Sequence, residues 1–383
     1  MRRREPWYLF AGDDAFAEQA LLQELARCTE PAEQASLLHL LAQLGCFAGV
    51  DAQLATRPVL LEQADARAAL MRLRQEQGHP NPWLALLPPA EQPSFLAFCR
   101  QLTHSDQPIE VRLAGGLGDQ LEALALIAPL HQKGPLQNRL SLALPATSQR
   151  ALAPLLAQAQ AGAATPLPPH HFLNANSDTT PHEHPWLGLL PMRTLLAAEG
   201  LEQPPSVLFE HLRRSGPQQR LVVCWRSKVD PRERLWAHLR SLPFQELEAL
   251  YSWLLPWAAA HGWTVIDITA YHPQEQTRLR RLPGSHRLDL AQPRLSSLAD
   301  TAALVADARL VLSVDTALVH LAHAVNVPRW LLLHRHPDPR WRLRLQQDGG
   351  IDRESLRVLQ QTIQGDWRTP LQQLRQSLNK MAI

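Results

Sequence analysis

Three short segments of the chain carry side chains whose types and spacing can do chemistry. The first is Ala114-Gly115-Gly116-Leu117-Gly118-Asp119, between an apolar β-branched run and an apolar helical one. Glycines at such a turn let backbone amides approach a ligand closely. Asp119 places a carboxylate at the mouth of that turn, able to accept a proton. The competing reading is a helix cap, because Asp satisfies the orphan amides of a helix start. A nicotinamide-dinucleotide reading of the same glycines is disfavoured. G-x-G stands at Gly116 and Gly118, but the third glycine position is Leu121, and no acid ends the next strand near Leu144.

The second segment runs Val311-Leu312-Ser313-Val314-Asp315-Thr316-Ala317-Leu318-Val319-His320-Leu321-Ala322. A buried strand ends at Ser313 and Val314, Asp315 and Thr316 make the turn, and a helix begins. Free amides and the positive end of the helix dipole attract an anion there. Thr316 adds a hydroxyl, and His320 follows one helical turn later on the same face. The plainer alternative is that Asp315 or Thr316 only caps and His320 sits on the helix surface. The third segment is Cys224-Trp225-Arg226-Ser227-Lys228, directly after an apolar strand. Two cations at a strand's carboxyl end suit a diphosphate, although basic loop residues are more often simply solvated.

Two further clusters bear less weight. His170, His171, His182 and His184 are metal-ligand types, but they fall in a loop-like stretch without a paired carboxylate or cysteine pattern. No metal is expected there. The run His334-Arg335-His336-Pro337-Asp338-Pro339-Arg340-Trp341-Arg342 follows the last predicted strand, where it would either rim a pocket or form an ordinary loop.

The elements that must position these residues fall into three regions. Residues 1–106 read as helical. Apolar residues recur at helical spacing over 15–28, from Pro31 onward, and over 60–77 and 89–102. Helix pairs in series suggest a small α-domain without a clean repeat period. Residues 107–203 predict an α/β unit: strands 109–114 and 140–144, helices 121–130 and 148–160, then a long loop or linker over 161–185. Residues 204–383 predict a second βα-repeating domain. Its strands are 221–225, 264–268, 310–314 and 330–333, and its helices are 244–260, 298–306, 316–325 and 369–381. Two such domains in series predict a ligand cleft at the carboxyl ends of their strands.

Bulk properties narrow the function classes. A chain of 383 residues with 45% hydrophobic content can build more than one core, and a net charge of +2 shows none of the excess basicity of a nucleic-acid binder. The four cysteines, Cys28, Cys46, Cys99 and Cys224, form no C-x-x-C pair, which fits a reducing cytosol and not a disulfide framework. No apolar run approaches the ~20 residues of a spanning helix. A cytoplasmic location is expected, with room for peripheral membrane contact.

Longer motifs then resemble a known family. Leu298-Ala299-Asp300-Thr301-Ala302-Ala303-Leu304-Val305 leads into the Asp315-Thr316…His320-Leu321-Ala322 segment and then Val327-Pro328-Arg329-Trp330-Leu331-Leu332-Leu333. This resembles the C-terminal domain of glycosyltransferase family nine, the heptosyltransferase-like enzymes, and looks closer still to the glycosyltransferases associated with tetratricopeptide repeats. Pro337-Asp338-Pro339-Arg340-Trp341, Gly365-Asp366-Trp367 and Arg240-Ser241-Leu242-Pro243 are similar to further elements of that group, and Gly116-Leu117-Gly118-Asp119 to its N-terminal G-x-G-D. The resemblance covers roughly 109–367.

It implies a B-type glycosyltransferase fold, two Rossmann-like α/β domains, preceded here by a small α-helical domain. It implies an inverting, metal-independent transfer from a nucleotide-diphosphate sugar to an acceptor hydroxyl, with no cofactor beyond the donor substrate. Asp119 would be the catalytic base, and Gly116, Gly118, Arg226, Ser227, Lys228, Asp315, Thr316 and His320 would contact the donor. The acceptor would be a glycan, a lipid-linked glycan or a protein. The alternative is a non-catalytic binding or scaffold protein on the same fold.

Overall fold

In a computed structural model of the chain, the described residues are 14–79, 82–97, 108–113, 115–132, 136–162, 167–173, 207–213, 218–228, 234–338, 341 and 355–381. The expected domain boundaries near 106 and 203 lie outside them. The first described helices are α1 (Asp14–Arg27), α2 (Pro31–Gln43), α3 (Phe47–Thr56) and α4 (Ala64–Glu76). Pro31 opens α2, where its missing N–H costs no hydrogen bond. One apolar face from each helix meets the others in a shared core that includes Leu21, Leu25, Leu38, Leu41, Val50, Leu60 and Leu73. Each fully buried leucine of this kind contributes ~2 kcal/mol. The helix α3 is absent from the sequence expectation because it buries only Val50 and Leu54, too few to set a period. Leu239, from the far half of the chain, completes this core.

The next unit is β1 (Ile109–Arg112), α5 (Leu117–Gln132), β2 (Leu140–Leu144), α6 (Gln149–Gly162) and β3 (His170–Phe172). The three strands are parallel in the order β1-β2-β3. The strand β3 corrects the expected loop over 161–185 for its described part. A three-residue strand of two histidines and a phenylalanine after two prolines has no apolar run to announce it. Pairing with Leu142, Ala143 and Leu144 makes it a strand.

The largest unit comprises β4 (Arg220–Cys224), α7 (Arg234–Leu239), α8 (Phe244–Ala260), β5 (Thr264–Asp267), α9 (Pro273–Leu279), β6 (Leu288–Leu290), α10 (Leu298–Ala306), β7 (Leu310–Val314), α11 (Ala317–Ala324), β8 (Arg329–Leu333), β9 (Leu356–Gln360) and α12 (Arg368–Met381). All six strands are parallel, in the order β6-β5-β4-β7-β8-β9. Strands buried on both faces read as unbroken apolar runs, as Leu221-Val222-Val223 and Leu310-Val311-Leu312 do. Side chains of α8 and α12 cover one face of this sheet. The other face is covered by α10 and α11, and their outer sides pack against α6 and α5 of the preceding unit. One continuous core therefore joins the two α/β units. None of the described helices is long and apolar enough to cross a membrane.

Candidate active site

The chain leaves β4 to one side of the large sheet, through β5 and β6, and returns to build β7, β8 and β9 on the other side. The reversal falls between β4 and β7, which pair with Cys224 opposite Ser313. At such a switch point the loops after the two strands diverge and leave a crevice at their carboxyl ends. Two of the three segments singled out in the sequence leave the sheet there: Arg226-Ser227-Lys228 after β4, and Asp315-Thr316 after β7.

Thr316 is the N-cap of α11, with extended backbone at φ −142°. Its Oγ1 accepts the Leu318 N–H at 3.3 Å and lies 2.9 Å from Ser313 Oγ. Ser313 Oγ donates its own hydrogen to the Val314 carbonyl at 2.7 Å, so the Thr316 hydrogen points to Ser313. The Thr316 hydroxyl therefore fixes the start of the helix. The first-turn amides and the dipole, equivalent to about half a positive charge, are what a ligand meets. Asp315 and His320 are buried, with 5% and 6% exposure. His320 is thus no surface histidine, and its ring lies 5.3 Å from the buried indole of Trp341.

The first segment meets α11 directly. A Cβ added at Gly118 would sit 3.0 Å from His320 Cδ2 and 3.4 Å from Ala317 Cα, so the first turns of α5 and α11 touch through a residue with no side chain. Asp119, partly exposed, lies one residue further along α5. Its Oδ2 accepts the Gly116 N–H at 2.7 Å, and a Cβ at Gly115, whose φ is +84°, would lie 2.5 Å from that oxygen. Asp119 thus closes its own helix start from the third helical position, and one carboxylate oxygen is committed to that bond. Gln120, almost fully buried, ties the turn down by donating to the Gly115 carbonyl at 3.0 Å and to Ser148 Oγ at 2.8 Å.

The loop after β4 is organised differently from the expectation of two free cations. The Arg226 guanidinium makes a two-pronged pair with Glu275 at 2.9 Å on each side and lies over the rings of Tyr271 and Phe244. That pairing keeps the Glu275 carboxyl below its usual range against the opposing effect of burial. Arg226 is a built-in strut, and Lys228 is an exposed cation among the described residues of this loop. The Ser227 N–H donates to Ser241 Oγ at 3.0 Å, and the Leu242 N–H to the Trp225 carbonyl at 2.9 Å. The Arg240-Ser241-Leu242-Pro243 motif therefore works by clamping the loop after β4.

Beneath that loop lies a group that sequence reasoning missed. Asp267 ends β5 with no exposure. Its carboxyl accepts from Tyr251 Oη at 2.5 Å, Tyr271 Oη at 2.7 Å and the Thr269 N–H at 2.7 Å. Tyr251 in turn accepts from Trp225 Nε1 at 2.7 Å, and Thr269 Oγ1 accepts the Trp225 N–H at 3.0 Å. Burial raises the Asp267 pKa despite these donors, and burial together with the Asp267 charge raises both tyrosines. The same two causes push the Cys224 thiol up to about 12, so this cysteine is no nucleophile. An acid at a strand end, followed at two and four residues by Thr269 and Tyr271, was the available signal.

The histidine cluster does not assemble into a metal centre among the described residues, where no group of three or more His, Cys, Asp or Glu is placed to hold an ion. His170 sits on β3 with Nδ1 3.3 Å from the Pro168 carbonyl, and His171 lies 3.7 Å from Glu110; His182 and His184 fall outside the described residues. In the segment after β8, His334 and Trp341 are buried, while Pro339, Arg340 and Arg342 also fall outside.

No curated protein matches the chain in sequence. Among solved structures, E. coli heptosyltransferase WaaC with ADP-2-deoxy-2-fluoro heptose is 14% identical, covering 71% of this chain and 100% of that one at a TM-score of 0.42. E. coli ADP-heptose lps heptosyltransferase II is 15% identical, with 72% and 98% covered at 0.46. The glycosyl transferase family 9 protein from Veillonella parvula is 12% identical, with 73% and 97% covered at 0.44. Residues 247–348, which include Asp315, Thr316, His320 and Trp341, match the family model described as Glycosyltransferase family 9 (heptosyltransferase), and this segment marks the C-terminal unit as that of a glycosyltransferase.

Proposed function

We propose that the protein transfers a sugar from a nucleotide-diphosphate donor to an acceptor hydroxyl, with inversion and without a metal. The observation that carries this reading is the contact of Gly118 with Ala317 and His320. It brings the first turn of α5, the turn that carries Asp119, against the start of α11. The diphosphate would lie against the first-turn amides of α11, with Lys228 adding charge from the loop that Arg226 and Asp267 brace. Charge building on the leaving diphosphate is then met by fixed dipoles, which need not reorganise during the reaction. Gly116 and Gly118 keep the approach from α5 open. Asp119 would take the acceptor's proton, a step worth roughly 10²–10⁴ in rate.

The helical unit, successive short helices on one leucine core, is the feature that supports the finer likeness to repeat-associated transferases. The acceptor in this reading is a glycan, a lipid-linked glycan or a protein.

One observation favours the scaffold alternative: an oxygen of Asp119 is already engaged by the Gly116 amide. Asp119→Asn separates the two readings. Asn keeps an oxygen for that amide but cannot act as a base. The transferase reading expects turnover to drop about 100-fold or more, while the affinity for nucleoside diphosphate, measured by calorimetry, stays within about twofold. Full activity in the variant removes Asp119 as the base. Failure of the parent chain to bind any nucleotide-sugar removes the transferase reading itself.

A further inference from the structure

The helical unit does not stand apart from the large sheet. It meets segments that leave the carboxyl ends of that sheet's strands. After β8, the His336 ring lies against Gly45, in the turn between α2 and α3, and edge-on to Phe47 at 6.1 Å. After β4, Leu239 at the end of α7 is part of the helical core, with 7% exposure. Three residues later Leu242, with 1%, belongs to the core between the large sheet and α8. The chain between α7 and α8 thus passes directly from one core into the other, and both cores set its position.

That short bridge holds the loop after β4. Ser241 Oγ donates its hydrogen to the Ala237 carbonyl of α7 and accepts the Ser227 N–H at 3.0 Å. The Leu242 N–H reaches the Trp225 carbonyl at 2.9 Å, and Arg226 Nε donates to the Leu242 carbonyl at 3.3 Å. Three consecutive loop residues, Trp225, Arg226 and Ser227, are therefore bonded to two consecutive bridge residues. A six-residue helix makes too few intrahelical bonds to persist in water by itself. The helix α7 therefore owes its place to the core that Leu239 enters. Because the Ser241 hydrogen is committed to α7, the Ser241 oxygen is aimed at the Ser227 amide only while α7 is in place.

We infer that Leu239 and Ser241 are positioning residues for the donor loop, and that through them the docked helical unit holds the loop after β4 in the form that meets a diphosphate. The inference rests on the reading of Ser227 and Lys228 as donor contacts. Leu239 and Ser241 act through that loop and touch no reacting atom. The helical unit is then part of the donor site's framework as well as a separate layer of the molecule.

Hydrogen exchange and nucleotide affinity, both measured on the full chain, test this together. Leu239→Val leaves a smaller cavity than truncation to alanine and is chosen so that the chain still folds. In that variant, without ligand, peptides covering 225–228 should exchange about tenfold faster, while β7 exchanges as in the parent. The nucleotide readout is calorimetry with ADP, UDP or GDP, whichever the parent binds. Ser241→Ala should weaken that binding about tenfold, the factor expected for one lost hydrogen bond. Ser241→Thr, which restores the hydroxyl, should return to within about threefold of the parent. Leu239→Val should weaken binding about threefold, and the double variant should bind no worse than Ser241→Ala, since both changes cut one path. The inference is overturned if the loop in Leu239→Val exchanges at the parent rate or quickens only together with β7. It is also overturned if Leu239→Val binds nucleotide like the parent, or if the two losses simply add. A parent chain that binds none of these nucleotides sinks the donor reading instead, and the exchange of 225–228 still decides whether the helical unit holds the loop.

Discussion

Gly118 leaves little room for a side chain. A methyl group there would lie 3.0 Å from the edge of the His320 ring, which sits tilted 5.3 Å from the Trp341 indole. Gly118→Ala should therefore cost ~1–3 kcal/mol in chemical denaturation, the usual penalty for forcing atoms into a filled contact, and reduce turnover at least tenfold by shifting α5 off α11. A variant with parent stability and parent activity would show that the two helix starts do not depend on each other. The presence of a carboxylate and two glycines was legible in the sequence. That Gly118 is the contact point and Gly115 the left-handed turn was not, because each role depends on which neighbour arrives within 4 Å.

At the scale of the element, the segment after β4 is held from below by Asp267. Its carboxyl is protonated more readily in the folded protein than in the unfolded chain, because burial raises its pKa. Between the two pKa values the folded state binds the extra proton. The contribution to stability is therefore complete below the unfolded value near 3.9 and is lost as pH rises through the folded value. Asp267→Asn should flatten that fall in urea midpoints measured across the window. If the parent and the variant lose stability in parallel, the carboxyl is not the titrating group. The variant should also raise the donor KM more than it lowers kcat, since Trp225 and Arg226 orient the loop but touch no reacting atom. Sequence periodicity located most of the strands and long helices here. The edge strands β6 and β9 escaped it, being short or mixed with polar residues, and backbone pairing with β5 and β8 defines them.

Across the whole molecule, two histidines, the buried His334 and the half-buried His336, sit where the helical unit meets the large sheet. An unfolded histidine takes a proton near 6.5, but His334 and His336 resist it down to about 3 and about 4. The unfolded chain therefore binds more protons as pH falls below 6.5, and stability should drop by a few kcal/mol between that point and pH 4. Unfolding midpoints from pH 8 to 4 check this, and His334→Phe should remove a large part of the slope. A slope that the variant leaves untouched would place the acid sensitivity elsewhere. Gly45→Ala should loosen the same junction, because the added methyl falls on the His336 ring at a backbone φ of +79°. Limited proteolysis would then release the helical unit faster than in the parent chain.

Local pattern alone determined the class of this protein: alternating apolar strands and amphipathic helices behind a helical region, with a strand-turn-helix at Asp315 and Thr316 able to meet an anion. Those features repeat within a few residues, so a linear reading finds them. Tertiary structure decided which strands lie side by side, and hence that β4 and β7 open the crevice. It paired Arg226 with Glu275 and left Lys228 exposed, buried Asp267 under the same loop, and seated the helical unit on the sheet's carboxyl edge. Each of these depends on contacts between residues tens to hundreds of positions apart, and no spacing along the chain encodes such a contact.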